Sequence, residues 1–145
     1  MASIRYSFYH VSRMPDLLSV VIDEQDKNYK PVSGFFSQLT ASRYPEIITR
    51  SIKGWGIGIN VAGISFPGDF EEDGEDFPEN MVEIGLFDDE VQILRMDYLE
   101  ILLAAANEML KMQLEKDSPT NDWTEEMQTK IKELEEYIKS PDFTP

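Results

Sequence analysis

The sequence predicts an α+β domain, in which a small antiparallel sheet of about three to four strands packs with four to five helices. Three observations lead there. Apolar residues recur at helical spacing before Gly54 and after Asp97. Between Trp55 and Leu94 the period changes to two. The chain has 145 residues, 41% of them hydrophobic, which suits a single core. With no internal repeat and no low-complexity linker, residues 1–145 read as one domain, with 1–30 an N-terminal extension and 141–145 a tail.

The first 28 residues are ambiguous. Ile4 to Val11 fits a strand, and Pro15 opens a short helix running through Val21. PVSGFFSQLT (31–40) predicts a short helix burying Phe35, Phe36 and Leu39. Tyr44, Ile47, Ile48 and Ile52 then form a helical stripe, with Ser42 as its cap and Gly54 just beyond its end. From Trp55 the reading is one strand: Trp55, Ile57, Ile59 and Val61 make a bulky face. Gly56, Gly58, Asn60 and Ala62 make a small one, against which a helix can pack closely.

Met81 to Phe87 and Glu90 to Leu94 flank Asp88-Asp89, a suitable hairpin turn. Asp97 and Glu100 have capping-box spacing ahead of a long helix with the stripe Leu99, Leu102, Leu103, Ala106, Met109 and Leu110. Asp122 and Glu125 repeat the box for a last helix carrying Trp123, Met127, Ile131, Leu134 and Ile138, which Ser140-Pro141 ends. Glu126–Lys130 and Glu135–Lys139 are spaced as supporting pairs.

Composition excludes several chemistries. With no cysteine there is no disulfide, thiolate metal site or thiol nucleophile. One histidine, His10, leaves no multi-histidine metal site and little room for a catalytic triad. It lies among Tyr6, Phe8, Tyr9 and Val11 with no acid nearby in sequence, and reads as a half-buried structural residue. Leu17 to Ile22 is too short for a signal-peptide core or membrane span, so the expected location is the cytoplasm.

Three motif-like patterns fail. GWGIGIN places Ile59 where a dinucleotide fingerprint needs its third glycine, and no Gly-Lys-Ser/Thr follows. DFEEDGEDFPEN sets Asp69, Glu71, Asp73 and Gly74 at calcium-loop positions but offers Asn80 where the bidentate glutamate belongs. Carboxylates abound, yet the two tryptophans, Trp55 and Trp123, are both accounted for as core residues, leaving no sugar-stacking cleft. No catalytic residue, cofactor or metal is expected. The composition points to binding.

Charge says where. The chain holds 28 acidic and 13 basic side chains, for a net charge of −15. Residues 1–68 are near neutral at +2, and residues 69–145 carry −17. Residues 69–90 contain 11 acids and no Lys or Arg, interrupted by Phe70, Phe77 and Pro78. Such a field repels nucleic acid and steers cationic partners. Solubility is the plain reading of an acidic loop, but a purely solvating run has no use for two phenylalanines.

The order of elements carries a resemblance. It begins with Gly34-Phe35-Phe36, a short helix ending in Lys53-Gly54 and the strand WGIGIN. SFPGDFEEDGEDF (65–77), the MVEIGLFDDEVQI hairpin (81–93) and a helix opened by Asp97-Tyr98-Leu99 follow. This resembles the immunity proteins of bacterial contact-dependent growth inhibition systems, and more narrowly those protecting against ribonuclease toxins. The resemblance implies a non-enzymatic cytoplasmic protein that binds a cognate toxin domain, one to one, usually over its active site.

The charge pattern agrees, since an RNA-cleaving domain presents a basic groove that an acidic protein can occupy. The expected contact surface is Glu71, Glu72, Asp73, Glu75, Asp76 and Glu79. Phe70 and Phe77 are its candidate anchors unless they pack beneath their own loop, and Asp88, Asp89 and Glu90 form a secondary set. Inhibition away from the toxin's active site stays open. So do an acidic adaptor or regulatory module for another basic protein, and a DNA-mimic inhibitor.

Overall fold

A computed structural model describes residues 5–10, 17–22, 30–59, 61–67, 78–115 and 121–141. Strands β1 (Tyr6–His10) and β2 (Leu18–Ile22) form an antiparallel pair. Helices α1 (Lys30–Ser37) and α2 (Tyr44–Lys53) follow, joined by a 3-10 turn at Ala41–Arg43. A four-stranded antiparallel meander comes next, made of β3 (Ile57–Ile59), β4 (Ala62–Ser65), β5 (Met81–Leu86) and β6 (Asp89–Leu94) in chain order. Helices α3 (Arg95–Glu115) and α4 (Asn121–Lys139) close the described chain. The architecture is α+β.

The inner face of the meander is built by alternation. Ile57, Ile59, Ala62, Ile64, Val82, Ile84 and Ile93 are buried and share one side. Helix α1 lies against that side, so closely that a Cβ on Gly34 would stand 2.6 Å from the Leu86 side chain. Tyr98 on α3 sits at the centre, fully buried, with Phe35, Phe36 and Phe66 around its ring at 6.3, 5.7 and 6.0 Å. Its hydroxyl meets Ser51 Oγ on α2 at 2.7 Å. Helix α4 adds Met127, Ile131 and Leu134 against α2 and α3, and the Trp123 indole N–H donates to the Ala41 carbonyl at 2.8 Å.

The N-terminal pair belongs to this core. Leu18 and Val20 are wholly buried and Ile22 nearly so. The Val20 N–H donates to Ser37 Oγ at 3.0 Å, and Ser33 Oγ donates to the Val20 carbonyl. Two serines of α1 thus satisfy the β2 edge opposite β1, where an open strand would invite pairing. His10 Nε2 lies 2.7 Å from Glu108 Oε2 on α3, an acid 98 positions away that sequence proximity does not reveal.

Several expectations give way. Leu18 to Val21 is strand, not part of a helix opened by Pro15, because Leu18, Val20 and Ile22 are buried in alternation and the segment pairs with β1. Ser42 lies inside the 3-10 turn, and Arg43 takes the N-cap position of α2 without a side-chain capping hydrogen bond, whereas Gly54 at φ 74 is the expected left-handed stop. The single strand from Trp55 to Ala62 is a hairpin, since Ile59 pairs with Ala62. Trp55 precedes β3 and is 51% exposed rather than core, with the Lys53 ammonium over its ring, and Gly58 on the small face meets no helix.

The β5–β6 turn is Phe87-Asp88, one residue earlier than expected, because Leu86 pairs with Asp89. Helices α3 and α4 begin ahead of Asp97 and Asp122, which lie in their first turns instead of capping them. Lys130 pairs with Glu133 at 3.5 Å, not with Glu126. Helix α3 is buried well beyond its expected stripe, including Ile101, Ala105 and Met112, because α4, the sheet and the β1–β2 pair all pack on it.

Two buried tyrosines give a first prediction. Burial raises the pKa of both Tyr44 and Tyr98 by disfavouring the phenolate; the Tyr98 charge adds to the effect at Tyr44, and the Ser51 hydrogen bond partly opposes it at Tyr98. Their folded values lie above the ordinary 10.0. Their stabilising contribution is complete below about pH 10 and lost as pH rises above it, because only the unfolded chain ionises them freely. Denaturant midpoints should fall from pH 9.5 upward, on the order of one pH unit ahead of a Tyr44→Phe/Tyr98→Phe double variant. Among the described residues nothing hydrogen-bonds the Tyr44 hydroxyl. Tyr44→Phe should therefore match or exceed wild-type stability at neutral pH, while Tyr98→Phe, which strands Ser51, should lose about 1 kcal/mol.

The α1–β5 contact gives a second. Gly34→Val should cost about 1–3 kcal/mol by overpacking against Leu86. Adding Leu86→Ala should return part of that loss, a coupling that a double-mutant cycle in urea reads directly.

Candidate functional site

The helices that touch the meander lie against its inner side, so among the described residues no helix covers the outer side. The register sets its surface. Gly58, Gly63 and Gly85 fall in one row across β3, β4 and β5, with Glu90 of β6 completing it. The neighbouring row is Ser65, Glu83 and Gln92, and Met81 with Leu94 forms the next. Nothing stands within 4 Å of a Cβ built on Gly58. The centre of the open face is therefore bare backbone, which a partner can approach closely. Glu83, Glu90, Val91 and Gln92 line a shallow, open depression of about 390 Å³ at its β6 side.

The charge map follows the sheet. Residues 54–94 supply all four strands and contain 11 acids but no lysine or arginine. Lys53 and Arg95 bound this stretch, and both are engaged. The Lys53 ammonium lies 4.6 Å from the Trp55 ring centre, and the buried Arg95 guanidinium 5.0 Å from that of Phe66. Just past Arg95, burial and the neighbouring Glu100 charge hold the Asp97 carboxyl above its ordinary range.

The structure places the expected contact residues in two groups. Phe70, Glu71, Glu72, Asp73, Glu75, Asp76 and Phe77 lie outside the described residues, as does most of the calcium-loop pattern. Their segment joins the end of β4 to the start of β5, and its exit is well defined. Glu79 is exposed in a turn whose Met81 N–H donates to the Pro78 carbonyl at 3.0 Å, and the Asn80 carbonyl accepts from the Arg95 N–H at 2.6 Å. Asp88, Asp89 and Glu90 are exposed at the opposite end of β5, five strand steps or roughly 17 Å away. The loop exit and the hairpin tip are not one cluster. They flank the open face from its two ends.

Two features of this surface escaped the sequence reading. Glu83 faces the open side beside Glu90, an assignment that needs the strand register. Phe87 is 76% exposed and holds φ 55, the one positive value among described non-glycine residues. Its N–H donates to the Val61 carbonyl at 2.8 Å, which sets it beside Val61, itself 46% exposed. A bulky residue in the left-handed region costs about 1–2 kcal/mol. The signal available in sequence was a Phe-Asp pair occupying a two-residue turn where Asn-Gly or Gly-X is usual.

Chemically, this face can attract and desolvate cationic groups. Among the described residues no group of three His, Asp or Glu side chains is placed to hold a metal ion, and no helix is long and apolar enough to cross a membrane. No family model matches the chain, and no curated protein or solved structure matches it.

Proposed function

We propose that this chain is a non-catalytic inhibitor that binds one basic protein, a ribonuclease toxin domain, and covers the surface that domain uses on RNA. This is the role implied by the resemblance to immunity proteins of contact-dependent growth inhibition. The observation that carries it is the segregation of charge by fold: the stretch forming the whole meander holds 11 acids and no base. An enzyme that grips RNA needs a cationic groove, and a protein carrying a matched anionic face competes for that groove directly.

The open face suits the task physically. Lysines and arginines of a partner find carboxylates at both ends of β5, and between them a glycine row that lets backbone or flat side chains come close. Effective protection leaves almost no free toxin, which calls for nanomolar affinity or better, about −12 kcal/mol. Charge supplies mainly association rate, so apolar contacts must supply residence time. The complex is a one-to-one heterodimer in the cytoplasm of the producing cell.

The direct experiment is co-expression with the C-terminal domain of the protein encoded immediately upstream. That domain should be lethal alone and harmless beside this chain. If the chain neither rescues nor binds it, the reading fails, and several weak basic partners in its place would mark an adaptor.

Charge reversal then separates the two acidic ends. Lysine at Glu72, Asp73, Glu75 and Asp76, or at Asp88, Asp89 and Glu90, should each weaken calorimetric affinity by an order of magnitude or more with unchanged circular dichroism. Association should slow steeply between 20 and 150 mM salt. A salt-independent on-rate would assign the acids to solubility alone.

A further inference from the structure

We infer that Phe87 is the apolar anchor of the interface, seated in an apolar pocket that the basic partner rims with lysine or arginine. The inference rests on the inhibitory reading proposed above and adds the residue that holds the partner in place.

Four observations carry it. First, Phe87 contributes little to the fold, since its side chain is 76% exposed while the adjacent Leu86 makes the contact with α1. Second, it occupies the first position of a two-residue hairpin turn with φ 55, where glycine is the usual occupant. A large aromatic kept in a conformation that disfavours it, and turned to solvent, calls for a reason outside the fold.

Third, the turn is held rigidly. The Phe87 N–H bonds the Val61 carbonyl at 2.8 Å, and Leu86 pairs with Asp89 directly behind it. The backbone that carries the ring is therefore fixed, and only the side chain's own two torsions remain to be ordered on binding. Fourth, its surroundings have the composition of a binding hot spot. Val61 extends the apolar patch, and Asp88, Asp89 and Glu90 form an exposed polar rim. That rim fixes the chemistry of the occupant, because a partner surface without cations would leave three carboxylates desolvated and unpaired.

The test combines affinity and stability, with the upstream-encoded C-terminal domain as the probe. By calorimetry at physiological salt, Phe87→Ala and Phe87→Gly should each bind at least 100-fold more weakly, and Phe87→Trp should recover most of the loss. In urea without partner, Phe87→Gly should raise the unfolding midpoint, since glycine removes the backbone conflict. Affinity kept within threefold in Phe87→Gly would overturn the anchor, and the inhibitory reading would survive if lysine at Asp88, Asp89 and Glu90 still weakens binding. A lower midpoint in both Phe87→Ala and Phe87→Gly would assign the ring to the fold and also overturn it. Wild-type protein that does not bind the domain would overturn the reading and this inference together.

Discussion

The structure depends on one buried aromatic, Tyr98. Its ring gathers Phe35 and Phe36 of α1 and Phe66 at the end of β4, and its hydroxyl reaches Ser51 of α2. Three segments, α1, α2 and the end of β4, thus converge on one side chain of α3. Aromatic burial of this size is worth several kcal/mol beside a net stability of about 5–15 kcal/mol. The helices are drawn to the inner face. The outer face, with glycines along its centre, offers them nothing comparable to bury.

That asymmetry organises the electrostatics. Carboxylates cannot enter the Tyr98 side without partners, because desolvating an unpaired charge costs far more than the contact returns. They are sorted to the open face, the loop exit and the hairpin tip, where water solvates them and their mutual repulsion is tolerable. The cations that bound this stretch lie over aromatic rings, Lys53 on Trp55 and Arg95 on Phe66. A one-sided sheet and exposed carboxylates at both ends of β5 are therefore two outcomes of the same packing. The proposed inhibitory role uses both, and the strained Phe87 adds a fixed apolar contact to a surface otherwise suited to fast, salt-sensitive encounters.

Much of the fold was legible because its signals are local. The pair Phe35-Phe36, the stripe Tyr44, Ile47, Ile48 and the stop at Gly54 each declare themselves within a few residues, as does the alternation from Val82 to Ile93. Errors arose where two local patterns coincide. LLSVVI suits a helix or a strand, and only the serines of α1 that hold Val20 decide between them. The run from Trp55 to Ala62 alternates without a break, and its reversal is seen only in the β3–β4 register, where Ile59 pairs with Ala62.

The sequence by itself determined the α+β class, the position of most elements, the absence of cysteine chemistry and the concentration of acids between residues 69 and 90. Each of these follows from composition or from periodicities that span a single element. Tertiary structure alone decided which sheet face stays open, how far the loop exit lies from the tip, that Glu83 joins Glu90, and that Phe87 points to solvent. It also brought Glu108 to His10. Those are relations between residues on different strands and helices, set by register and by the burial of Tyr98, and no stretch of chain encodes them alone.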